Sequence, residues 1–188
     1  EAEEDNVKST LGAIRLKSDV GRNLLRNSSF ENGLSQWLDG FQNGLKYWTV
    51  SDNFSYHGNS SVCLMGRNSH HWRGVRQVIY DVSVGETYTA SAFVKCDSDV
   101  IHGVGIRILI SKDGGATWTI GPSSISKNEN WTRISCSYTI ENGVNALSFE
   151  FYGSTGNPVG KGVYVDAVKL EKGTQATEYN FYKESTLY

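Results

Sequence analysis

Four stretches of this chain alternate apolar and polar residues with a period of two, which commits them to β-strands half-buried on one face. In residues 86–96, Tyr88, Ala90, Ala92 and Val94 fall on one side and Thr89, Ser91, Phe93 and Lys95 on the other. Val104, Ile106, Ile108 and Ile110 repeat the pattern, leaving Gly105, Arg107 and Leu109 outward. So do Ile134, Cys136, Tyr138 and Ile140, and then Leu147, Phe149 and Phe151 with Ser148, Glu150 and Tyr152 opposite. Turn signals separate the runs: Val84-Gly85, Asp113-Gly114-Gly115 and Glu141-Asn142-Gly143. The Asp-Gly-Gly step reads as a hairpin.

Each half-buried strand needs a second layer over its apolar side. The expected fold is therefore all-β, a two-sheet antiparallel β-sandwich. With 188 residues there is enough chain for one good core. The 10 Tyr, 5 Trp and 20 Gly against 2 Pro suit a fold of aromatic strands and many turns. Residues 1–21 differ: an acidic start, Glu1 to Asp5, precedes a weak mixture of helical and strand spacing. This segment is expected to be a linker or the end of a preceding domain, 22–173 the sandwich, and 174–188 a C-terminal tail.

Several functions lose support at once. A net charge of −2 offers no electrostatic case for nucleic acid or an anionic membrane. No apolar run approaches the ~20 residues of a membrane span. Cys63, Cys96 and Cys136 are odd in number, sit in apolar runs and lack Cys-x-x-Cys spacing, so they read as buried thiols. Glycoside hydrolysis needs two carboxylates flanking the scissile bond, and no Glu-x-Asp-x-(x)-Glu strand is present. Neither is a Gly-x-Ser-x-Gly elbow. An enzyme is not expected.

The two ends of the sandwich echo each other. Asn23-Leu24-Leu25-Arg26-Asn27-Ser28-Ser29-Phe30-Glu31-Asn32-Gly33, then Trp37, opens it, and Val163-Tyr164-Val165-Asp166-Ala167-Val168-Lys169-Leu170 closes it. A first and a last strand, each with one carboxylate, suggest a sandwich closed by its own ends. These segments, with His57-Gly58-Asn59-Ser60-Ser61-Val62 and Val84-Gly85-Glu86-Thr87-Tyr88-Thr89-Ala90-Ser91, resemble the jelly-roll carbohydrate-binding modules of families 4, 9 and 22. The resemblance runs over about residues 22–171 and implies a galactose-binding-like jelly roll. The ending Lys169-Leu170-Glu171-Lys172-Gly173-Thr174-Gln175-Ala176-Thr177-Glu178-Tyr179 resembles that of such modules in bacteriophage tail and baseplate proteins. A virion location, a bacterial cell-surface polysaccharide as partner and neighbouring tail proteins are thereby implied. A module appended to a glycoside hydrolase, and a spacer without sugar binding, are the alternatives.

The resemblance also implies a structural calcium where the ends meet. The matching positions are the side chains of Glu31 and Asp166 and carbonyls near Ser29 and Asn59, with Ala167 where a second Asp is usual. A sugar ring presents a flat apolar face and a rim of hydroxyls, so its site wants aromatic platforms beside planar polar groups. Of the outward residues, Trp72, His71, Arg76, Arg107, Glu150 and Tyr152 are the expected contacts. Trp37 and Trp131 match tryptophans that are structural in the family and are expected in the core. Trp48 is open, and Trp118 is either a loop-tip contact or hairpin packing. His57 reads as structural. His70 and His71 should point to opposite faces of a strand, against a shared metal.

Overall fold

A computed structural model describes residues 21–182. The linker expected over 1–21 lies outside the described residues except for Gly21, as does the end of the tail from residue 183. Ten strands follow in order: β1 (Leu38–Asp39), β2 (Trp48–Ser51), β3 (Ser61–Met65), β4 (Trp72–Ile79), β5 (Thr87–Cys96), β6 (Val104–Ser111), β7 (Thr119–Ser126), β8 (Thr132–Thr139), β9 (Ala146–Ser154) and β10 (Gly162–Lys172). A single 3-10 turn, Gly44–Lys46, interrupts them. They form two five-stranded antiparallel sheets, β1-β4-β9-β6-β7 and β2-β3-β10-β5-β8. The all-β sandwich expected from the alternation is the fold observed.

The inward residues of the four alternating runs meet between the sheets. Tyr88, Ala90, Ala92 and Val94 face Val104, Ile106, Ile108, Leu147, Phe149 and Phe151 across a dry core. Phe151 is its aromatic hub, with ring centroids 5.7 Å from Phe30, 5.2 Å from Trp37 and 4.9 Å from Trp48. Trp37 is in the core as expected, and Trp48 joins it. Trp131 does not. It alternates onto the outer face of the second sheet, half-buried, with its edge against Tyr56, which in turn stacks on outward Phe93 at 3.5 Å. The three thiols are free, and burial pushes Cys136 up to about 12.

The hairpin at Asp113–Gly115 joins β6 to β7 as its composition requires. Asp113 accepts from Ser111 Oγ and from Thr117 N and Oγ1, and these bonds hold its carboxyl down at about 2. The ends do lie together, in a modified form. Leu24 N donates to Leu170 O, Val168 N donates to Ser28 O, and the Asn23 side chain bonds Val168, Leu170 and Leu25. The opening segment is nevertheless a bonded strap and not a ladder strand. On β10, Gly162–Val165 already pair with β3 and the length of the strand pairs with β5.

A bulge between Asp166 and Lys169 keeps β10 in phase. It returns Val168 and Leu170 to the core after Val163 and Val165, and Ala167 absorbs the extra residue at φ 45°. Lys169 and Glu171 then point outward, yet both are fully buried. The segment after β10 covers them: Lys169 Nζ donates to Thr177 Oγ1 and Glu178 O, and Glu171 accepts from Thr177 N and Oγ1. The ending read as a tail is held against the outer face of the second sheet.

Candidate functional site on the outer face of the first sheet

With one sheet face strapped by the chain's own end, the outer face of β4, β9, β6 and β7 is the open one. Strand register builds it in rows. Arg76, Glu150 and Arg107 stand side by side across three strands, and Gly74, Tyr152 and Gly105 form the next row. Trp72 follows, opposite Ser154. Five of the six expected contacts thus share one face, from three strands far apart in sequence.

Two glycines shape the middle of that face. A Cβ on Gly74 would stand 2.5 Å from the Glu150 carboxylate carbon, and one on Gly105 would stand 2.7 Å from the Tyr152 ring. Their absence lets the Tyr152 ring lie across Gly105, with its hydroxyl near Ser123. Burial pushes that hydroxyl up. It also lets the loop after β1 come down on β4: Gly40 N donates to Gly74 O at 3.0 Å, and Gly74 N to Phe41 O at 2.9 Å.

Glu150 is the buried anchor. Arg107 Nε and Nη2 both donate to its Oε1, at 2.6 and 2.5 Å, and Phe41 N donates to its Oε2 at 3.0 Å. At 1% exposure its carboxylate has no surface to offer a ligand. The expectation of a direct contact is corrected to a positioning role, because the Phe41 loop covers it. Of the groups Glu150 positions, Phe41 is 44% exposed and Arg107 is mostly buried, its guanidinium 5.6 Å from the Phe41 ring and 4.8 Å from that of Tyr152.

Trp72 closes one end. Its ring meets Tyr152 edge-on at 5.7 Å and borders a stacked pair, His70 and His102, whose centroids are 4.1 Å apart. His70 Nδ1 is bonded to Ser154 Oγ at 2.6 Å. Burial, then the neighbouring His70 and Lys127, push His102 down. His71, expected beside Trp72, alternates to the other side of the strand, and only its carbonyl is used, accepting from Thr155 N. At the opposite end the Arg76 guanidinium lies 5.3 Å from the Trp118 ring. Trp118 therefore joins the face.

Phe41, His102 and the placement of Trp118 are what reading the sequence misses. All three sit in loops, where alternation has nothing to say. The spacing Gly40-Phe41-x-x-Gly44 was the available signal, since both glycines pack against Gly74. A cleft of about 750 Å³ opens elsewhere, between the opening segment and β4, lined by Arg22, Arg26, Gln77, Tyr80 and Tyr182. It includes none of Trp72, Arg107, Glu150 or Tyr152.

The two carboxylates of the chain ends also come together. Asp166 Oδ2 accepts from Tyr56 N and His57 N, at 2.7 and 2.9 Å, and its Oδ1 from Ala167 N at 2.6 Å. Glu31 Oε1 accepts from Asn59 N and Ser60 N, and Gly58, at φ +74°, leaves the space in which that carboxylate lies. Burial pushes Asp166 up to about 6 against these bonds, and the negative charge of Glu31 adds to the shift. Among the described residues no three side chains of His, Cys, Asp or Glu cluster. A hard cation here would need Glu31 and Asp166 plus backbone carbonyls, the set expected with Ser29 and Asn59. Two carboxylates with no ion-pair partner among the described residues, one of them buried, and a glycine cradle fit that donor set.

Known proteins agree with this architecture. The family model described as "Carbohydrate binding domain" matches residues 22–158. Endo-1,4-beta-xylanase A of Thermotoga maritima is 26% identical over 161 residues, 84% of this chain; the chain spans 15% of that relative's length. Among solved structures, the C-terminal family 22 carbohydrate binding module of Clostridium thermocellum Xyn10B superposes with a TM-score of 0.60 at 14% identity, covering 85% of this chain and 99% of that one. The enzymatically active domain of tailspike protein 4 of bacteriophage CBA120 gives a TM-score of 0.56 at 14% identity, covering 80% of this chain and 21% of that one.

Proposed function

The chain belongs to this carbohydrate binding domain family, and from that membership we propose that it is a non-catalytic module holding a polysaccharide on the outer face of β4, β9, β6 and β7. The observation that carries the reading is the single row Arg76–Glu150–Arg107 beside Trp72 and Tyr152. Aromatic rings flank planar hydrogen-bonding groups on an open sheet, as a pyranose chain requires. Glu150 is the one carboxylate these four strands bring to the face, and it is tied to Arg107 and Phe41 N. A face with one tied carboxylate supports binding without bond cleavage, since hydrolysis calls for a second carboxylate across the bond.

Two larger settings suit such a module. A glycoside hydrolase is supported by the xylanase relative. A phage tail or baseplate protein, adhering to a bacterial cell-surface polysaccharide beside other tail proteins in the virion, is supported by the shared fold with a tailspike domain and by the ending Lys169–Tyr179. That ending also has a structural reason of its own, because Lys169, Glu171 and Thr177 clasp one another. Modest affinity at each copy would be raised by multivalency on a particle. A spacer would have no use for Phe41 and Trp72 at the surface.

The test is a titration of the chain with xylan, mixed-linkage β-glucan, galactan and host cell-wall polysaccharide, read by tryptophan fluorescence. One of them should shift the emission, and Trp72→Ala should weaken that binding at least tenfold. Silence across the panel overturns the reading. Xylan as the ligand favours the hydrolase setting, and wall polysaccharide the phage setting.

Calcium belongs to the same proposal, as a structural ion held by Glu31, Asp166 and carbonyls near Ser29 and Asn59. It would neutralise the two carboxylates and staple the opening loop to the bulge of β10, at the edge away from the sugar face.

A further inference from the structure

We propose that the saccharide held on this face is acidic, and that Arg76 recognises its negative group. The inference rests on the reading of the face as a polysaccharide site. It starts from charge. Strands β4, β9, β6 and β7 bring Arg76, Arg107 and Glu150 to the face and no other ionised side chain. Arg107 and Glu150 neutralise each other at 2.5 Å. Arg73, also on β4, alternates to the other side, over the Tyr47 ring. Asp39 of β1 is turned away as well, accepting from Leu45 N. One positive charge is left over, and it is Arg76.

The Arg76 side chain makes no hydrogen bond or ion pair to any described residue. Its guanidinium reaches across the sheet to the Trp118 ring, a platform that fixes its plane. The polar atoms in this corner are also unmatched. Arg76 Nε, Trp118 Nε1 and Ser148 Oγ are buried without a partner. Ser148 stands on β9 one row from Arg76, between Val78 and Leu109. Donors outnumber acceptors here. The carboxylate of the hairpin beside Trp118, Asp113, spends its oxygens on Ser111 and Thr117. A neutral sugar hydroxyl can satisfy a donor, but it brings a donor of its own. A carboxylate or phosphate brings acceptors alone, and its planar or forked oxygens match a guanidinium.

The Trp118 end of the face is therefore where an acidic substituent or residue of the polymer would sit, with the neutral backbone running toward Trp72. The negative group could be a uronate or a phosphate, and the two are separated by the probes. Glucuronoxylan, polygalacturonate and alginate are each compared with their carboxyl-reduced forms, and poly(glycerol phosphate) teichoic acid is added. Binding is measured by calorimetry at low and at moderate salt, on wild type, Arg76→Gln and Arg76→Lys. The expected result is at least a tenfold preference for one acidic polymer over its neutral form, erased by Arg76→Gln, partly kept by Arg76→Lys and reduced by salt. Preference for teichoic acid supports the inference with phosphate as the group. Equal affinity for acidic and reduced forms, unchanged in Arg76→Gln, overturns it and leaves the polysaccharide site standing. Failure of every saccharide to bind overturns both. Circular dichroism of Arg76→Gln confirms folding, which a side chain resting on the Trp118 ring with no hydrogen bond or ion pair to the described residues leaves intact.

Discussion

Asp166 is a carboxyl at odds with its buried surroundings. Burial lifts it from 3.8 to about 6, so the folded state binds a proton more readily than the unfolded chain. The stability this contributes is fully present below about 3.8 and is lost as pH rises through about 6. Metal-free protein should thus melt higher at pH 5 than at pH 7.5, by scanning calorimetry. If the proposed calcium binds, it should reverse the order, because an ion favours the charged carboxylate. It should raise the melting temperature at pH 7.5, with the benefit fading as pH falls through 6 and absent in Asp166→Ala. Equal melting at both pH values, with and without calcium, would remove the calcium proposal. At this scale the sequence was legible in kind and not in role. Alternation placed Trp72, Arg76, Arg107 and Tyr152 outward, and it placed Glu150 there too. It could not reveal that a loop from β1 would cover that carboxylate, since the cover depends on Gly40 and Gly44 finding Gly74 thirty residues on.

Between elements, the least legible feature is the clasp on the second sheet. The pattern on β10 makes Lys169 and Glu171 outward, and outward charged residues are ordinarily wet. Here both are dry because Thr174 to Tyr182 returns over them, and burial pushes the Lys169 ammonium down while Glu171 holds it up. A buried pair of this kind is costly to break and cheap to replace. Lys169→Met or Glu171→Leu alone should destabilise the fold by about 3–5 kcal/mol in chemical denaturation. The double variant should lose less than either single one. If the losses simply add, the pair is not coupled and the clasp is held by the backbone contacts of the strap. The opening segment docks on the edge of β10 that β3 leaves unpaired after Val165, where its backbone bonds are Leu24 N to Leu170 O and Val168 N to Ser28 O.

At the scale of the whole molecule the two outer faces differ, one strapped by residues 174–182 and the other open. The interior was read correctly from periodicity because a two-residue repeat leaves a strand only one way to bury its apolar side. Trp131 was misplaced because its role was carried over by likeness, whereas alternation from Ile134 puts it outside. The core's aromatic hub gives a check on cooperativity: Phe151→Ala should cost about 3–5 kcal/mol, with both sheets unfolding in one transition. Two separate transitions would contradict a shared core. Of the two outer faces, one is strapped and the other carries Trp72, Tyr152, Phe41, Arg107, Arg76 and Trp118. The measurement that tests the account most directly is the map of amide chemical-shift changes when an oligosaccharide from the polymer that binds is added. The account predicts changes clustered on β4, β9, β6 and the Phe41 loop, with the second sheet quiet. Changes confined to the second sheet or to the Glu31–Asp166 edge would contradict it.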